Sequence, residues 1–272
     1  MVSVRAGMAT DPGRVRQVNE DRALVGPDLF AVADGMGGHA AGDVASAMAV
    51  DRLARLVRRP GLTPAQVTAE LAECNRDILA AAQPGTARAG MGTTVAGLVL
   101  VSLAGRQHWL VFNIGDSRVY RFVDGQLVRV TVDHSEVEEL VASGAIAAEE
   151  ARTHPRRSVV TRVLGMNPPP EADVWLFPPT PGERFLICSD GLSSELDDSD
   201  IAAVLRAEPI AQAAADALVA RAVAAGGRDN VTVVVVDHVV DPGSDLEEDT
   251  LRRPRNPVPV AAPGWHHPGE AA

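Results

Sequence analysis

The reading of the fold turns on Leu29-Phe30-Ala31-Val32-Ala33-Asp34-Gly35-Met36-Gly37-Gly38-His39-Ala40-Ala41-Gly42-Asp43-Val44-Ala45-Ser46. Its first five residues, Leu29 to Ala33, have the length and composition of a buried strand. Asp34-Gly35 ends that run, Gly37 and Gly38 follow, and an alanine-rich segment with helical period begins. A carboxylate at the end of a buried strand is held rigidly and can be aimed. Glycine beside it lets the backbone approach a ligand closely and present carbonyl oxygens. Taken alone, the stretch reads equally well as a strand-turn-helix junction in which Asp34 only opens the helix. Carboxylates at the ends of other strands decide between the two.

Upstream, residues 2–9 read as a strand, Asp11-Pro12-Gly13 as a turn, and the polar segment 14–21 as a lead into a short strand at 23–25. Downstream, Val44, Ala47, Met48, Leu53, Leu56 and Val57 give residues 40–59 an amphipathic helical period, closed by Pro60-Gly61. Thr63-Pro64 predicts an N-cap with proline in the first helical position, and a second helix over 65–82. The pattern then changes to strands at 93–103, 108–114, 117–123 and 126–132, the last two joined by the hairpin signal Asp124-Gly125. A short helix follows at 137–142, then a polar, proline-rich excursion over 143–170 with one helical piece near 147–153. Strands at 173–177 and 184–188, helices at 198–207 and 210–225, and a β-branched strand at 230–240 complete the order. Blocks of strands and helix pairs, with no internal repeat, predict α+β layers and not a βαβ alternation. Beyond Asp241 large apolar residues almost vanish, so 241–272 is expected to be a disordered tail, with His266-His267 solvated inside it.

Composition excludes several functions. The chain has 272 residues, is 46% hydrophobic and carries a net charge of −11, which argues against binding nucleic acid through general phosphate attraction. Every one of its 25 basic residues is arginine, so the lysine-dependent phosphate loop is absent and a phosphate clamp has to use arginine. No apolar run is long enough to span a membrane and no signal-peptide pattern is visible, which predicts a soluble cytoplasmic protein. The two cysteines, Cys74 and Cys188, are too few for a disulfide framework, and Cys188 sits in an apolar run as an inert thiol.

The chemistry rests on acidic residues at strand ends. Glu20-Asp21 precedes a strand, Asp34-Gly35 ends one, and Asp116 follows Ile114-Gly115. Asp190-Gly191 follows Phe185-Leu186-Ile187-Cys188-Ser189, and Asp229-Asn230 precedes the last strand. At any one position a turn or helix cap is the plainer explanation. Repeated in five matching contexts, the pattern predicts convergence at one edge of the sheets. Converging carboxylates repel and raise one another's pKa, and hard divalent cations such as Mg²⁺ or Mn²⁺ resolve the repulsion through oxygen ligands. Bridged cations activate water near neutral pH and polarise a phosphoryl oxygen. No G-x-S-x-G elbow and no nucleophilic cysteine competes for the role. Arg16, four residues before Glu20, is either a solvated surface charge or a fork for phosphate oxygens.

These residues resemble the bacterial form of the metal-dependent protein serine/threonine phosphatases, the protein phosphatase 2C (PPM) family. The matching segments are Gly13 to Asp21, Val32 to Ser46, Gly92-Thr93-Thr94, Asn113-Ile114-Gly115-Asp116-Ser117-Arg118, Asp133-His134-Ser135, Thr161 to Gly165, Ser189-Asp190-Gly191-Leu192 and Arg228 to Thr232, in order over residues 1–240. The resemblance implies a four-layer αββα sandwich of two antiparallel sheets flanked by helix pairs, with 1–240 as the catalytic domain and 143–165 as a mobile flap. It implies two core Mn²⁺ or Mg²⁺ ions and a weaker third. Asp34 would bridge the core ions, and Asp190 and Asp229 would complete one site. The Gly35 carbonyl and the Glu20/Asp21 pair, partly through water, would serve the other. Asp116 with Asp190 would hold the third ion, and Arg16 would bind the substrate phosphate.

The implied function is hydrolysis of phosphoserine and phosphothreonine on proteins by a monomer that opposes a bacterial Ser/Thr kinase. A silent metal-binding regulator on the same fold and a phosphatase for small esters are the competing readings. Intact acidic stations argue against the first. One position departs from the animal pattern: Met36 stands where animal members have a histidine, and His39 is near but displaced. The leaving-group acid is therefore assigned to metal-bound water.

Overall fold

The uninterrupted apolar runs of the central strands have a direct cause: both faces of each sheet are covered. The structure, a computed structural model, describes residues 2–37, 41–82, 85, 88–239 and 258–259. In chain order the first elements are β1 (Ser3–Asp11), β2 (Asp21–Val25), β3 (Leu29–Met36), α1 (Gly42–Ala54) and α2 (Pro64–Ala81). Then come β4 (Gly92–Thr93), β5 (Val95–Leu103), β6 (Arg106–Ile114), β7 (Arg118–Val123), β8 (Gln126–Arg129), α3 (Glu136–Ala142) and α4 (Ala148–Ala151). The last are β9 (Asp173–Phe177), β10 (Arg184–Cys188), α5 (Asp190–Ser193), α6 (Asp198–Ala207), α7 (Ala211–Ala225), β11 (Val231–Val239) and β12 (Val258–Pro259).

Among the described residues the strands form two antiparallel sheets, one ordered β1-β11-β10-β7-β8, the other β12-β9-β6-β5-β3-β2, with β4 paired to β3. Side chains alternate along each strand, so successive residues enter different cores. Phe30 and Val32 of β3 face inward between the sheets with Leu98, Trp109, Phe185, Ile187 and Val234. Leu29, Ala31 and Ala33 face outward against Ala45, Ala49 and Leu53 of α1 and Leu71 and Ile78 of α2. On the far side Leu186, Cys188, Val233 and Val235 meet Ile201 and Leu205 of α6 and Leu218 and Ala222 of α7. This is the expected α+β sandwich of four layers. Trp109 and Phe185 pack edge to face across the middle layer, with centroids 5.9 Å apart. Truncating a buried Phe such as Phe185 to Ala costs roughly 3–5 kcal/mol.

Thr63 caps α2 as expected: its hydroxyl accepts from Gln66 N–H at 3.4 Å, and the Gln66 side chain accepts from Thr63 N–H at 3.0 Å. Asp124 and Gly125 take φ of 51° and 74°, the left-handed pair that a tight hairpin turn requires. Several boundaries differ from the periodicity. Strand β3 does not stop at Asp34-Gly35 but runs through both to Met36, because Asp34 pairs with Asp21 and Gly35 with Thr93, and β1 runs on to Asp11 along β11. Helix α1 stops at Ala54, not Arg59, because residues 55–59 coil through turns and Arg58 takes φ 58°. Strand β8 stops at Arg129, because Val130 and Thr131 both turn their N–H groups to the Val119 carbonyl. Of the tail expected over 241–272, only Val258 and Pro259 are described. Their backbone pairs antiparallel with Leu176 and Trp175 on the edge of the second sheet, where a proline's missing N–H is tolerated. His266-His267 and the rest of that segment lie outside the described residues, as does His39. No described helix is long and apolar enough to cross a membrane.

Candidate metal centre

The antiparallel order brings strand ends from distant parts of the chain to one end of the sandwich. Asp21 and Asp34 are direct register partners on β2 and β3. Strand β10 runs out through Ser189 into Asp190, next to the point where Asp229 and Asn230 lead into β11. The turn Gly115-Asp116 links β6 to β7.

Asp34 is held by its backbone, which leaves its carboxylate to be aimed. Its N–H donates to the Thr94 hydroxyl at 3.1 Å, while its carbonyl accepts from Thr94 N–H at 2.9 Å and from the Thr93 hydroxyl at 2.8 Å. The Thr94 hydroxyl also meets that of Ser117 at 2.7 Å, joining the end of β3 around Asp34 to the residue after Asp116. Gly35 has no alternative: a Cβ there would lie 2.1 Å from the Gly42 carbonyl oxygen, so only glycine lets β3 pass the first turn of α1.

Glu20 and Asp21 point to different places, as neighbours on a strand do. Glu20 turns toward α1, where its Oε1 accepts from Gly42 N–H at 3.1 Å. Asp21 turns toward β10 and accepts from the Ser189 hydroxyl at 2.7 Å through Oδ2. Its other oxygen, Oδ1, is buried and makes no hydrogen bond of normal geometry among the described residues, although the Thr232 side chain is near enough to favour the charged carboxylate. Arg16 reaches Asp229 with Nη2 2.7 Å from Oδ2, and this pair is exposed, at 53% and 36%. Asn230 stitches the Arg16 loop in place. Its Oδ1 accepts from Glu20 N–H at 2.8 Å, and its Nδ2 donates to the carbonyls of Pro12 and Val18, both at 3.0 Å.

The electrostatics are those of a site built for a cation. Burial, then the charges of Asp21, Asp190, Asp116 and Asp229, push the Asp34 carboxyl well above its ordinary range. Burial first and neighbouring aspartates next raise Asp21 to about 7 and Asp116 to about 8. The same causes raise Asp190 to about 6. The Asp34 side chain also acts on Asp190 as a hydrogen-bonding neighbour, and carboxylates drawn together favour sharing a proton or a cation. The described residues contain no ready-made chelate of three or more His, Cys, Asp or Glu side chains. The donors available to an ion are therefore this carboxylate pair, the Asp21 Oδ1, backbone carbonyls and water. That oxygen-only set suits Mg²⁺ or Mn²⁺.

The family model described as protein phosphatase 2C matches residues 14–224, which span every one of these strand ends except Asp229 and Asn230. The chain belongs to the protein phosphatase 2C family. It is 35% identical to serine/threonine phosphatase stp of Listeria monocytogenes, over 86% of this chain and 96% of that protein. It is 41% identical to serine/threonine protein phosphatase PstP of Mycobacterium tuberculosis, over 88% of this chain and 45% of that longer protein. Among solved structures, the catalytic domain of PstP in complex with two manganese ions superimposes with a TM-score of 0.80 at 37% identity, over 88% of this chain and all of that one.

Sequence reasoning assigned no part to the groups that brace the carboxylates of this protein phosphatase 2C: Thr93, Thr94, Ser117, Ser189, Asn230 and His134. Their signal was adjacency, since each stands within two residues of a candidate carboxylate or inside a matching segment. His134 is the least obvious. Its Nδ1 accepts from Gly115 N–H at 3.0 Å, its own N–H donates to the Gly115 carbonyl at 2.9 Å, and its carbonyl accepts from Thr161 N–H at 2.7 Å. With Nδ1 accepting, Nε2 carries the proton and donates to Asp173 at 3.2 Å. The imidazole thus ties the Asp116 turn to Asp173, and the His134 backbone ties it to Thr161.

Proposed function

We propose that this protein phosphatase hydrolyses phosphoserine and phosphothreonine on proteins with two divalent ions, Mn²⁺ or Mg²⁺, held at the strand-end carboxylates. In this reading Asp34 would serve both ions, Asp190 and Asp229 would help hold one, and the Gly35 carbonyl with Glu20 and Asp21, partly through water, would help hold the other. Asp116 with Asp190 takes a weaker third. The single observation that carries it is the convergence of four aspartates at one end of the sheets, Asp21 and Asp116 buried and Asp34 and Asp190 half-buried, each pushed up by desolvation and by its neighbours. The Mn²⁺-bound PstP structure supports the choice of ion.

When bound, the ions supply a nucleophilic water near neutral pH and polarise the phosphoryl oxygen. The protein's own residues do the rest. Asp34 and Asp190 hold their charge at fixed points because Thr93, Thr94 and Ser189 fix the backbone around them. Arg16, exposed and held by one contact to Asp229, is placed to offer its fork to the phosphate oxygens. Met36 carries no transferable proton, so water is the proposed acid for the leaving alkoxide. Residues 1–240 form the proposed catalytic domain and 143–165 the proposed flap. The proposed unit is a cytoplasmic monomer, since one copy contributes every named group, working against a Ser/Thr kinase.

Turnover of a phosphothreonine peptide with Mn²⁺, and its loss in excess EDTA with recovery on adding metal back, is the expected result. Full turnover in EDTA overturns the reading.

A further inference from the structure

Beside the candidate metal centre lies a cavity of about 600 Å³, walled by α3, α4 and residues 152–158 on one side and by α5 and the start of α6 on the other. Asp116 and Asp190 line it as well, so it is continuous with the catalytic end of the sandwich. Six carboxylates and four arginines face it, and tracing each partner shows which charges are left over.

Arg118 is bound by Asp133, with Nη2 2.6 Å from Oδ2. Arg129 is bound by Glu138 at 2.9 Å. Asp197 caps α6, accepting from Asp200 N–H at 2.9 Å and from the Ser199 hydroxyl at 2.7 Å. Asp198 accepts from the Tyr120 hydroxyl at 3.2 Å. Asp116 and Asp190 belong to the centre already described. What remains is Arg152 and Arg157, whose side chains make no hydrogen bond or ion pair among the described residues; Arg152 only senses the charge of Asp197. Their neighbour Arg156, by contrast, pairs with Glu136. Two uncommitted guanidinium groups thus face a cavity that shares Asp116 and Asp190 with the reaction centre, in a protein of net charge −11.

We infer that Arg152 and Arg157 form an anion subsite that takes a second anionic group of the phosphoprotein, a carboxylate or a further phosphate, a few residues from the scissile phosphoester. The inference rests on the phosphatase reading above. A substrate whose phosphoester sits at the strand-end carboxylates runs its flanking residues past Asp116 and Asp190 into this cavity, each extended residue advancing about 3.3 Å. Guanidinium suits both anions because its fork matches carboxylate and phosphate oxygens alike. The subsite makes the enzyme prefer acidic or multiply phosphorylated segments, which the acidic molecule as a whole would otherwise repel.

The test uses the full chain with Mn²⁺ and phosphothreonine peptides that carry one Glu at each flanking position in turn, each compared with the Gln isostere. A second arm places a phosphoserine at the same positions. The wild type should favour the anion at one or two positions by about tenfold in kcat/KM, the scale of a charge-assisted contact. The larger gain identifies carboxylate or phosphate as the group taken. R152Q/R157Q should lose that gain and keep wild-type rates on Gln peptides and p-nitrophenyl phosphate. A flat wild-type profile, or a gain that survives in the double variant, overturns the subsite. Failure of the wild type to hydrolyse p-nitrophenyl phosphate or any peptide overturns the phosphatase reading instead.

Discussion

Asp34 is half-buried and crowded by other carboxylates, and that gives its substitution two opposite effects. Asp34→Asn should lower phosphopeptide turnover by several orders of magnitude, since in the proposed arrangement it serves both ions. It should also raise the melting temperature of the EDTA-treated protein, because it removes a carboxylate crowded by Asp21, Asp190 and Asp116. Calorimetry and rates on one preparation check both; a wild-type rate rejects the assignment. The sign of the pH dependence follows from the same groups. Asp21, Asp116 and Asp190 have folded values of about 7, 8 and 6 against an ordinary 3.8. The folded state therefore binds more protons than the unfolded chain above pH 4, and its stability falls as pH rises. In EDTA the protein should melt at a lower temperature at pH 8 than at pH 5.5, and Mn²⁺ should remove the difference. A flat or rising melting profile in EDTA contradicts this. Arg16→Ala should raise KM and lower kcat/KM by about 1.5–3 kcal/mol of lost phosphate contact. It should change thermal stability by less than about 1 kcal/mol, because the Arg16–Asp229 pair is exposed.

At the level of elements, the end of β3 matters as much as the carboxylate it carries. Gly35→Ala puts a methyl 2.1 Å from the Gly42 carbonyl oxygen, where backbone meets backbone and neither can give cheaply. Overpacking of this kind costs about 1–3 kcal/mol, and the strain falls on the end of β3 around Asp34. Weakened Mn²⁺ binding by calorimetry, together with a lower melting temperature, is expected; unchanged affinity would show that the close approach is not what shapes it. The end of β3 around Asp34 was legible because strand, carboxylate and glycines are contiguous. The hydroxyl bracing was not: Thr94 meets Ser117, 23 residues away, and Ser189 meets Asp21, 168 residues away. Nothing in local periodicity encodes such pairs.

For the whole molecule, the sandwich was readable because doubly covered strands give continuous apolar runs, as in Leu29 to Ala33 and Phe185 to Cys188. Which way Glu20 and Asp21 would turn was not, since that depends on the register of β2 against β3. The pairing of β11 has a further consequence, for biosynthesis. Strand β11 lies between β1 and β10, and among the described residues β1 has no other neighbour in its sheet. Strand β1 is made more than 200 residues before β11 and stays unpaired on that edge until β11 is made, and Asn230 arrives with β11 to fasten the Arg16 loop. A nascent chain still short of residue 229 lacks Asp229 as well as the strand that closes the sheet. A fragment ended before residue 229 should therefore show no phosphopeptide turnover and, with the edge of β1 bare, should aggregate or be degraded, which rates and solubility of such fragments check.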